Sequence, residues 1–473
     1  RRKRSGKARP PIEPNPERVA LLRSLSGGEE IWEEVKSFGN PPTGEQAKLS
    51  AYSKHVSRGR IAKLDAGILK RAVEEAAAKA KVESAELRYV LIDDEFIDPN
   101  SLYHRMRQLC LRHLLKVHGD KSPGYPLNLD YTNNHAAMES EFVGILNSCI
   151  ARLHMWLTID ETILAEEIDS YWLLENGYMD PSTIFIKDEP HPERKLVDGK
   201  YRCITPVSLV DQVVEACLFS EMSTANKESL FASGSAVGIG FHPDGVRDYI
   251  NYVKSMEKKY GPATEDDVSG FDSLHTPQVY EASAEYDRLI FRIKGVAENW
   301  WKAHRVWSKL KPYSIVVIGD VLYVRTDEGM MDSGSRDTSR RNTTFRRLYG
   351  FYIAVLMDIV QNFDVLPNGD DANSWGIPEN HLETYRKTAA SIGITLRDLR
   401  YANDGKINFC SHLYDFNRTD GAVLTSWPKA VYKMLTKKVL EPYDVRQVLE
   451  EMRCNTQYPV LSQFVQKVAP LVD

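Results

Sequence analysis

Closely spaced cysteines are absent. The six in this chain of 473 residues (Cys110, Cys149, Cys203, Cys217, Cys410 and Cys454) are scattered, with no C-x-x-C pair. That excludes a disulfide scaffold and a structural zinc site of ordinary spacing, and it suits a reducing compartment. Long apolar runs are absent too: the longest without a charge, Leu348 to Met357, falls far short of a bilayer span. No signal peptide opens the sequence. Nor is there an excess of one charge, since 61 Lys+Arg stand against 66 Asp+Glu for a net charge of −5. Such a chain can hold nucleic acid only by concentrating positive charge in a channel. Internal repeats and low-complexity linkers are missing, which argues for interleaved subdomains. The chain does not begin with Met, and release from a polyprotein or a trimmed sequence would explain this equally well.

What is present is ordinary for a soluble globular protein: 42% hydrophobic and 27% charged residues, with length for two or three domains. Arg1 to Pro11 is a basic arm, read either as a solvated tail or as non-specific RNA attraction. Leu64, Ile68, Leu69 and Val73 predict an amphipathic helix over Ile61 to Val82, and Tyr103 to Val117 reads likewise. Tyr313 to Ile318 and Val321 to Arg325 predict a hairpin around Gly319-Asp320. A long helix is expected from about Asp337 to Ile359, then a strand from Phe363 to Leu366. The last sixty residues read as helical, with Pro428 and Pro442 as breakers or first-turn residues.

Three segments carry chemistry. Asp267-Val268-Ser269-Gly270-Phe271-Asp272 is D-x-x-x-x-D at the end of a short strand, and Gly369-Asp370-Asp371 follows about a hundred residues later. Nucleotidyl transfer needs two hard divalent cations, and carboxylates from adjacent strands supply oxygen ligands while leaving room for phosphate and water. Each motif alone is weak; a lone Gly-Asp-Asp is more often a surface turn. Between them lies Ser333-Gly334-Ser335-Arg336-Asp337-Thr338-Ser339-Arg340-Arg341-Asn342, or S-G-x-x-x-T-x-x-x-N. Here a flexible Ser-Gly loop opens a helix on which Thr338 and Asn342 share a face. Capping alone would explain the Ser and Thr, but not the order of the three motifs.

In that order the chain resembles the viral RNA-dependent RNA polymerases, whose palm motifs A, B and C run this way. The resemblance implies an α/β right-hand fold with fingers, a palm built on a small antiparallel sheet backed by helices, and a short helical thumb. It implies that Asp267 and Asp370, with Asp371 secondary, hold two Mg²⁺ (or Mn²⁺). Asp272, Thr338 and Asn342 would read the ribose 2′-hydroxyl, with Ser333 also at the nucleotide and Gly334 at the RNA. Lys187-Asp188-Glu189-Pro190, Lys195 and Arg202 look like motif F: Lys195 and Arg202 would meet the triphosphate, and Lys187 would touch RNA or hold Glu189. Ser122, Gly124 and Tyr125 lie in a segment like motif G, which grips template. Motif D lacks its usual Lys, so Arg397, Arg400 and Lys406 stay open as the general acid. Phe409-Cys410-Ser411-His412 resembles motif E, with His412 read as a packing residue.

Within the family, Phe185 to His191, Val207 to Gln212, Asp267 to Asp272 and Ser426-Trp427-Pro428-Lys429 resemble the sobemovirus and barnavirus lineage. The expected division is 1–84 basic tail and extension packing on fingers and thumb, 85–218 fingers, 219–298 first part of the palm, 299–330 fingers insertion, 331–411 second part of the palm, and 412–473 thumb. Arg336, Arg340, Arg341, Arg346 and Arg347 put unusual charge on the motif B helix, read as a solvated face with acidic neighbours or as grip on template phosphates. The implied partners are RNA template, nascent strand and ribonucleoside triphosphates, with a genome-linked protein primer and self-association left open. The implied location is a replication complex in the host cytoplasm, attached to membrane through partners. A reverse transcriptase is disfavoured by Asp272, where a bulky aromatic is usual. A relic palm kept as a scaffold is disfavoured because no metal carboxylate is lost.

Overall fold

The computed structural model describes residues 13–57, 59–82, 99–160, 162, 168–291, 298–324, 329–418, 421–437 and 440–469. The basic arm Arg1 to Pro11 and Arg325 lie outside the described residues. The described strands are β1 (Phe38–Gly39), β2 (Ser182–Thr183), β3 (Phe185–Ile186), β4 (His191–Pro192), β5 (Cys203–Ile204), β6 (Thr264–Val268), β7 (Val316–Ile318), β8 (Val321–Tyr323), β9 (Asp364–Asn368), β10 (Asp371–Trp375), β11 (Leu396–Tyr401), β12 (Lys406–Phe409), β13 (His412–Asp415) and β14 (Val423–Leu424).

The small antiparallel sheet expected of a palm has the order β11-β6-β10-β9. Pro367 sits in β9 at its edge, where a missing N–H costs least. β9 and β10 form a hairpin closed by Gly369-Asp370, with Gly369 at φ +67°, a conformation that only glycine adopts cheaply. The predicted hairpin around Gly319-Asp320 is also present, with Ile318 opposite Val321.

The helix Thr338–Leu356 backs this sheet, burying Leu348, Phe351 and Ile353 in one core with Phe363 and Val365. It is shorter than the expected Asp337 to Ile359; Met357 caps it, and Asp358 turns to φ +56°. The helix expected over Ile61 to Val82 spans Ala66–Ala78, started by the Asp65 carboxylate accepting from Ile68 N at 2.9 Å. The residue before that cap stays non-helical because the Gln278 amide bonds the N–H and C=O of Leu64, each at 3.0 Å. Tyr103 to Val117 lies largely within the helix Pro99–Leu114.

The arginines of the long helix correct the reading of a solvated or RNA-gripping face. Only Arg336 of the five is exposed; the others are in the core. Arg340 and Arg341 lie between Asp287 and Asp337, with Arg340 Nη1 at 2.7 Å from Asp287 Oδ1 and Arg341 Nε at 2.9 Å from Asp337 Oδ2. Arg346 pairs with Asp266, and Arg347 Nη1 lies 3.1 Å from Asp364 Oδ1. A helix packed on both faces has no wet side, and buried charge persists only when paired.

The N-terminal extension runs across three bodies. The helices Pro16–Arg23 and Gly28–Val35 pack with the C-terminal helices, and Arg18 Nη1 donates to Met434 O at 2.9 Å. β1 pairs with β4, and the helix Glu45–Val56 packs against Ile184, Ile186 and Val316. The helix Ala66–Ala78 lies against the long helix, where Arg347 Nη2 reaches Ala76 O. The extension therefore also covers the back of the palm. At the far end, β12 pairs with β13 and β13 with β14, so the expected boundary at residues 411/412 falls inside a hairpin. The helices Trp427–Thr436 and Pro442–Arg453 begin with Pro428 and Pro442 in the first turn, as predicted.

Candidate active site

The register of β6 and β10 sets Asp371 opposite Asp267, which brings the Gly-Asp-Asp turn to the end of the motif A strand. The turn is held from below, because Gly369 N donates to Thr343 Oγ1 at 2.9 Å. Asp267 Oδ1 is buried and receives no donor, and Asp370 lies close enough to act on the Asp267 carboxyl. Burial, then the charge of Asp370, pushes Asp267 up to about 6. Burial, then the charges of Asp370 and Asp267, pushes Asp371 up to about 7. Crowded carboxylates raised in this way favour a bound cation.

No group of three or more His, Cys, Asp or Glu side chains among the described residues is arranged to close around a metal. The site is an open set of carboxylates, which fits Mg²⁺ or Mn²⁺ that keeps water and takes substrate phosphates.

Beside these carboxyls, Asn342 Nδ2 donates to Asp272 Oδ1 at 2.7 Å. Thr338 is not joined to them: its hydroxyl donates to Asp332 O at 2.7 Å and Ser335 O at 2.8 Å, securing the turn that starts the helix. Sequence reasoning missed His275, whose Nε2 lies 3.1 Å from Asn342 Oδ1 while Nδ1 faces Tyr349 Oη at 3.3 Å. Burial lowers its pKa to about 3, so the ring is neutral, and the Asn342 acceptor places the proton on Nε2. His275 thus holds the amide oxygen while the NH₂ faces Asp272, which can only accept. No motif marks a lone histidine; only the packing reveals it.

The Ser-Gly segment is pinned where a flexible loop was expected. Ser333 N donates to Thr205 Oγ1 at 2.8 Å, Thr205 N to Ser333 Oγ at 3.0 Å, and Gly334 N to Thr205 O at 3.1 Å. A Cβ at Gly334 would lie 2.7 Å from the Pro206 backbone, so the close approach requires glycine. Beneath it, buried Glu215 accepts from Ser335 Oγ at 2.8 Å, Arg336 N at 3.0 Å and Lys311 Nζ at 3.2 Å. The loop holding Ser122, Gly124 and Tyr125 packs on the same segment, with Leu209 N donating to Pro123 O.

Glu189 gathers three basic side chains. Lys187 Nζ lies 3.1 Å from its Oε2, Arg202 Nη1 3.8 Å from its Oε1, and Lys429 Nζ, to which no role was given from the sequence, 2.9 Å from Oε2. Burial and the nearby cations Lys429 and Arg397 lower the pKa of Lys195. Of the motif D candidates, Arg397 pairs with Asp267 and Arg400 with Glu265, each at 2.5 Å, while Lys406 is exposed at the start of β12. His412 is buried and stacked on Phe241, with ring centroids 3.9 Å apart. The turn before it, Cys410-Ser411, has φ +52° and +59°, and Asn368 Nδ2 reaches Cys410 Sγ at 3.2 Å beside the Gly-Asp-Asp hairpin.

The chain is similar to viral RNA-directed RNA polymerases in fold and, over part of its length, in sequence. The fold matches the Sicinivirus 3Dpol RNA-dependent RNA polymerase with a TM-score of 0.61 at 15% identity, over 87% of this chain and 82% of that one. Residues 123–234 match the model of a viral RNA-directed RNA-polymerase family. Within that class the chain resembles the sobemovirus and barnavirus lineage. It is 29% identical over 335 residues to the replicase polyprotein of Southern cowpea mosaic virus, covering 68% of this chain and 32% of the polyprotein. It is 28% identical over 334 residues to the RNA-directed RNA polymerase of Mushroom bacilliform virus, covering 69% of this chain and 76% of that protein. The chain spans about a third of the length of the sobemovirus polyproteins it matches.

Proposed function

We propose that this chain copies an RNA template into RNA from ribonucleoside triphosphates by two-metal-ion nucleotidyl transfer, as the replicase core of a positive-strand RNA virus. The observation that carries the reading is the convergence of Asp267 and Asp370 from two separate motifs, beside the Asp272–Asn342 pair.

Asp267 and Asp370, with Asp371, would hold two Mg²⁺ (or Mn²⁺), whose chemistry there would be activation of the primer 3′-hydroxyl and neutralisation of the triphosphate. Asp272 and Asn342 receive the ribose 2′-hydroxyl; a deoxy sugar would leave their polar groups unpaired. Lys195 and Arg202 take charge from the triphosphate and from the pyrophosphate that leaves. The pinned loop at Ser333-Gly334 and the loop at Ser122 to Tyr125 guide the RNA. Arg397 and Arg400 are engaged by carboxylates, and a guanidinium is a poor proton donor, so neither is assigned the general acid's role.

Fingers are assigned to 85–218 and 299–330, palm to 219–298 and 331–411, and thumb to the residues beyond. The chain works in a replication complex of the host cytoplasm, held at membrane by partners; no helix among the described residues is long and apolar enough to cross one. A short thumb suits priming by a protein-linked nucleotide, and efficient unprimed synthesis on linear templates would overturn that part.

The deciding experiment is primer extension on a homopolymer template with and without Mg²⁺. Extension should require the metal, and Asp370→Asn should abolish it while RNA binding persists. Activity above a tenth of wild type in that variant would remove Asp370 from the site.

A further inference from the structure

Three consecutive acids on β6 each have an arginine. Glu265 accepts from Arg400 Nε at 2.5 Å, Asp266 pairs with Arg346, and Asp267 Oδ2 accepts from Arg397 Nη2 at 2.5 Å. Arg397 and Arg400 are three apart on β11 yet face Asp267 and Glu265, which are two apart. In a regular strand residues three apart point to opposite faces. The register shift between them, with Asp398 at φ +52°, turns both guanidiniums to the acidic side.

The three pairs differ in kind. Asp266 and Arg346 are both in the core. Glu265 is buried and also accepts from Asn408 N and Nδ2, so it is tied to β12 whatever Arg400 does. Arg397 is 51% exposed, can swing away, and sits on the one acid of the three that the metal chemistry needs.

We propose that Arg397 is a displaceable counter-cation of the metal site. It neutralises Asp267 in the metal-free chain, must leave before Asp267 takes a divalent ion, and so sets the metal concentration at which the site fills. A guanidinium and a metal cannot share Oδ2, and a fixed positive charge there opposes any cation between Asp267 and Asp370. Arg397 stands near Lys195, so a triphosphate that Lys195 attracts would draw the arginine away. Metal and nucleotide then favour each other's binding through a single side chain. The inference rests on reading Asp267 and Asp370 as metal ligands.

Binding of Mn²⁺ alone to the full chain without nucleotide, followed by the electron paramagnetic resonance of the free ion, tests it. Arg397→Gln should tighten binding about tenfold, Arg397→Lys should stay near wild type, and Asp370→Asn should remove the site. If Asp370-dependent binding is present but equal or weaker in Arg397→Gln, the counter-cation role is wrong and the metal reading stands. If Arg400→Gln tightens binding as much as Arg397→Gln, the effect is one of general charge and the proposal also fails. If no chain shows Asp370-dependent binding, the metal reading falls, and the proposal with it.

Discussion

At the centre of the site, single substitutions separate the roles of neighbouring side chains. Asp272 only accepts, so it takes the NH₂ of Asn342, and His275 holds the other end of the amide by donating to its oxygen. His275→Phe keeps a ring and removes the donor, so the amide oxygen loses its partner and the NH₂ is held less firmly on Asp272. Discrimination between ribo- and deoxynucleotides should fall about tenfold, read as the ratio of kcat/KM for the two sugars. An unchanged ratio would mean that His275 only packs. The raised carboxyls make a second prediction. Asp267 and Asp371 hold protons in the folded chain up to about pH 6 and 7, whereas the unfolded chain releases them near the ordinary value of 3.8. Folding therefore binds protons between those values. The stability these groups give is full below the unfolded value and is lost as pH rises to about 7. Without metal, Asp371→Asn should raise Tm relative to wild type at pH 8 and do so less at pH 5. An equal shift at both would refute it. Asp267, Asp370, Asp272 and Asn342 were legible in the sequence because each lies in a short motif whose spacing carries its chemistry. His275, Thr205 and Glu215 were not, because what they do depends on partners 60 to 130 residues away.

The long helix Thr338–Leu356 shows what a period can and cannot tell. Its position followed from the pattern, but the destination of its arginines did not. Charge on a helix is most often solvated, and nothing local reveals that Asp266, Asp287 and Asp364 come from other elements to meet it. The same long-range closure explains why the helix at 66–78 is shorter than its apolar spacing suggested: Gln278, from another helix, claims the backbone just before the cap. Because Asp287 serves both Arg340 and Arg341 with no solvent to replace it, removing it leaves uncompensated buried charge. Asp287→Ala should cost about 3–5 kcal/mol by denaturant unfolding, the range for breaking a buried pair. A loss below about 1 kcal/mol, the range of a surface pair, would mean that water reaches the cluster.

At the scale of the molecule, the short strands around Glu189 are joined to the C-terminal helices in two ways. β1, on a segment whose helices pack on that C-terminal body, pairs with β4. Lys429, in the first turn of Trp427–Thr436, reaches Glu189 just before β4. The reach of the extension was not legible for this reason: it meets several bodies through partners far along the chain. Glu189 is 9% exposed and lies among Lys187, Arg202 and Lys429, so it offsets their mutual repulsion and keeps Arg202 beside Lys195. With Glu189→Gln the cations remain and their anion is gone. Arg202 should move off its position, raising the KM for nucleotide several-fold while kcat changes little, since the metal carboxylates are untouched. Lys429→Met should show the same split more weakly, because Lys187 and Arg202 still hold Glu189, and Lys429→Arg should restore it. If both substitutions lower kcat and leave KM unchanged, the contact between fingers and C-terminal helices serves the chemical step and not the placing of the triphosphate.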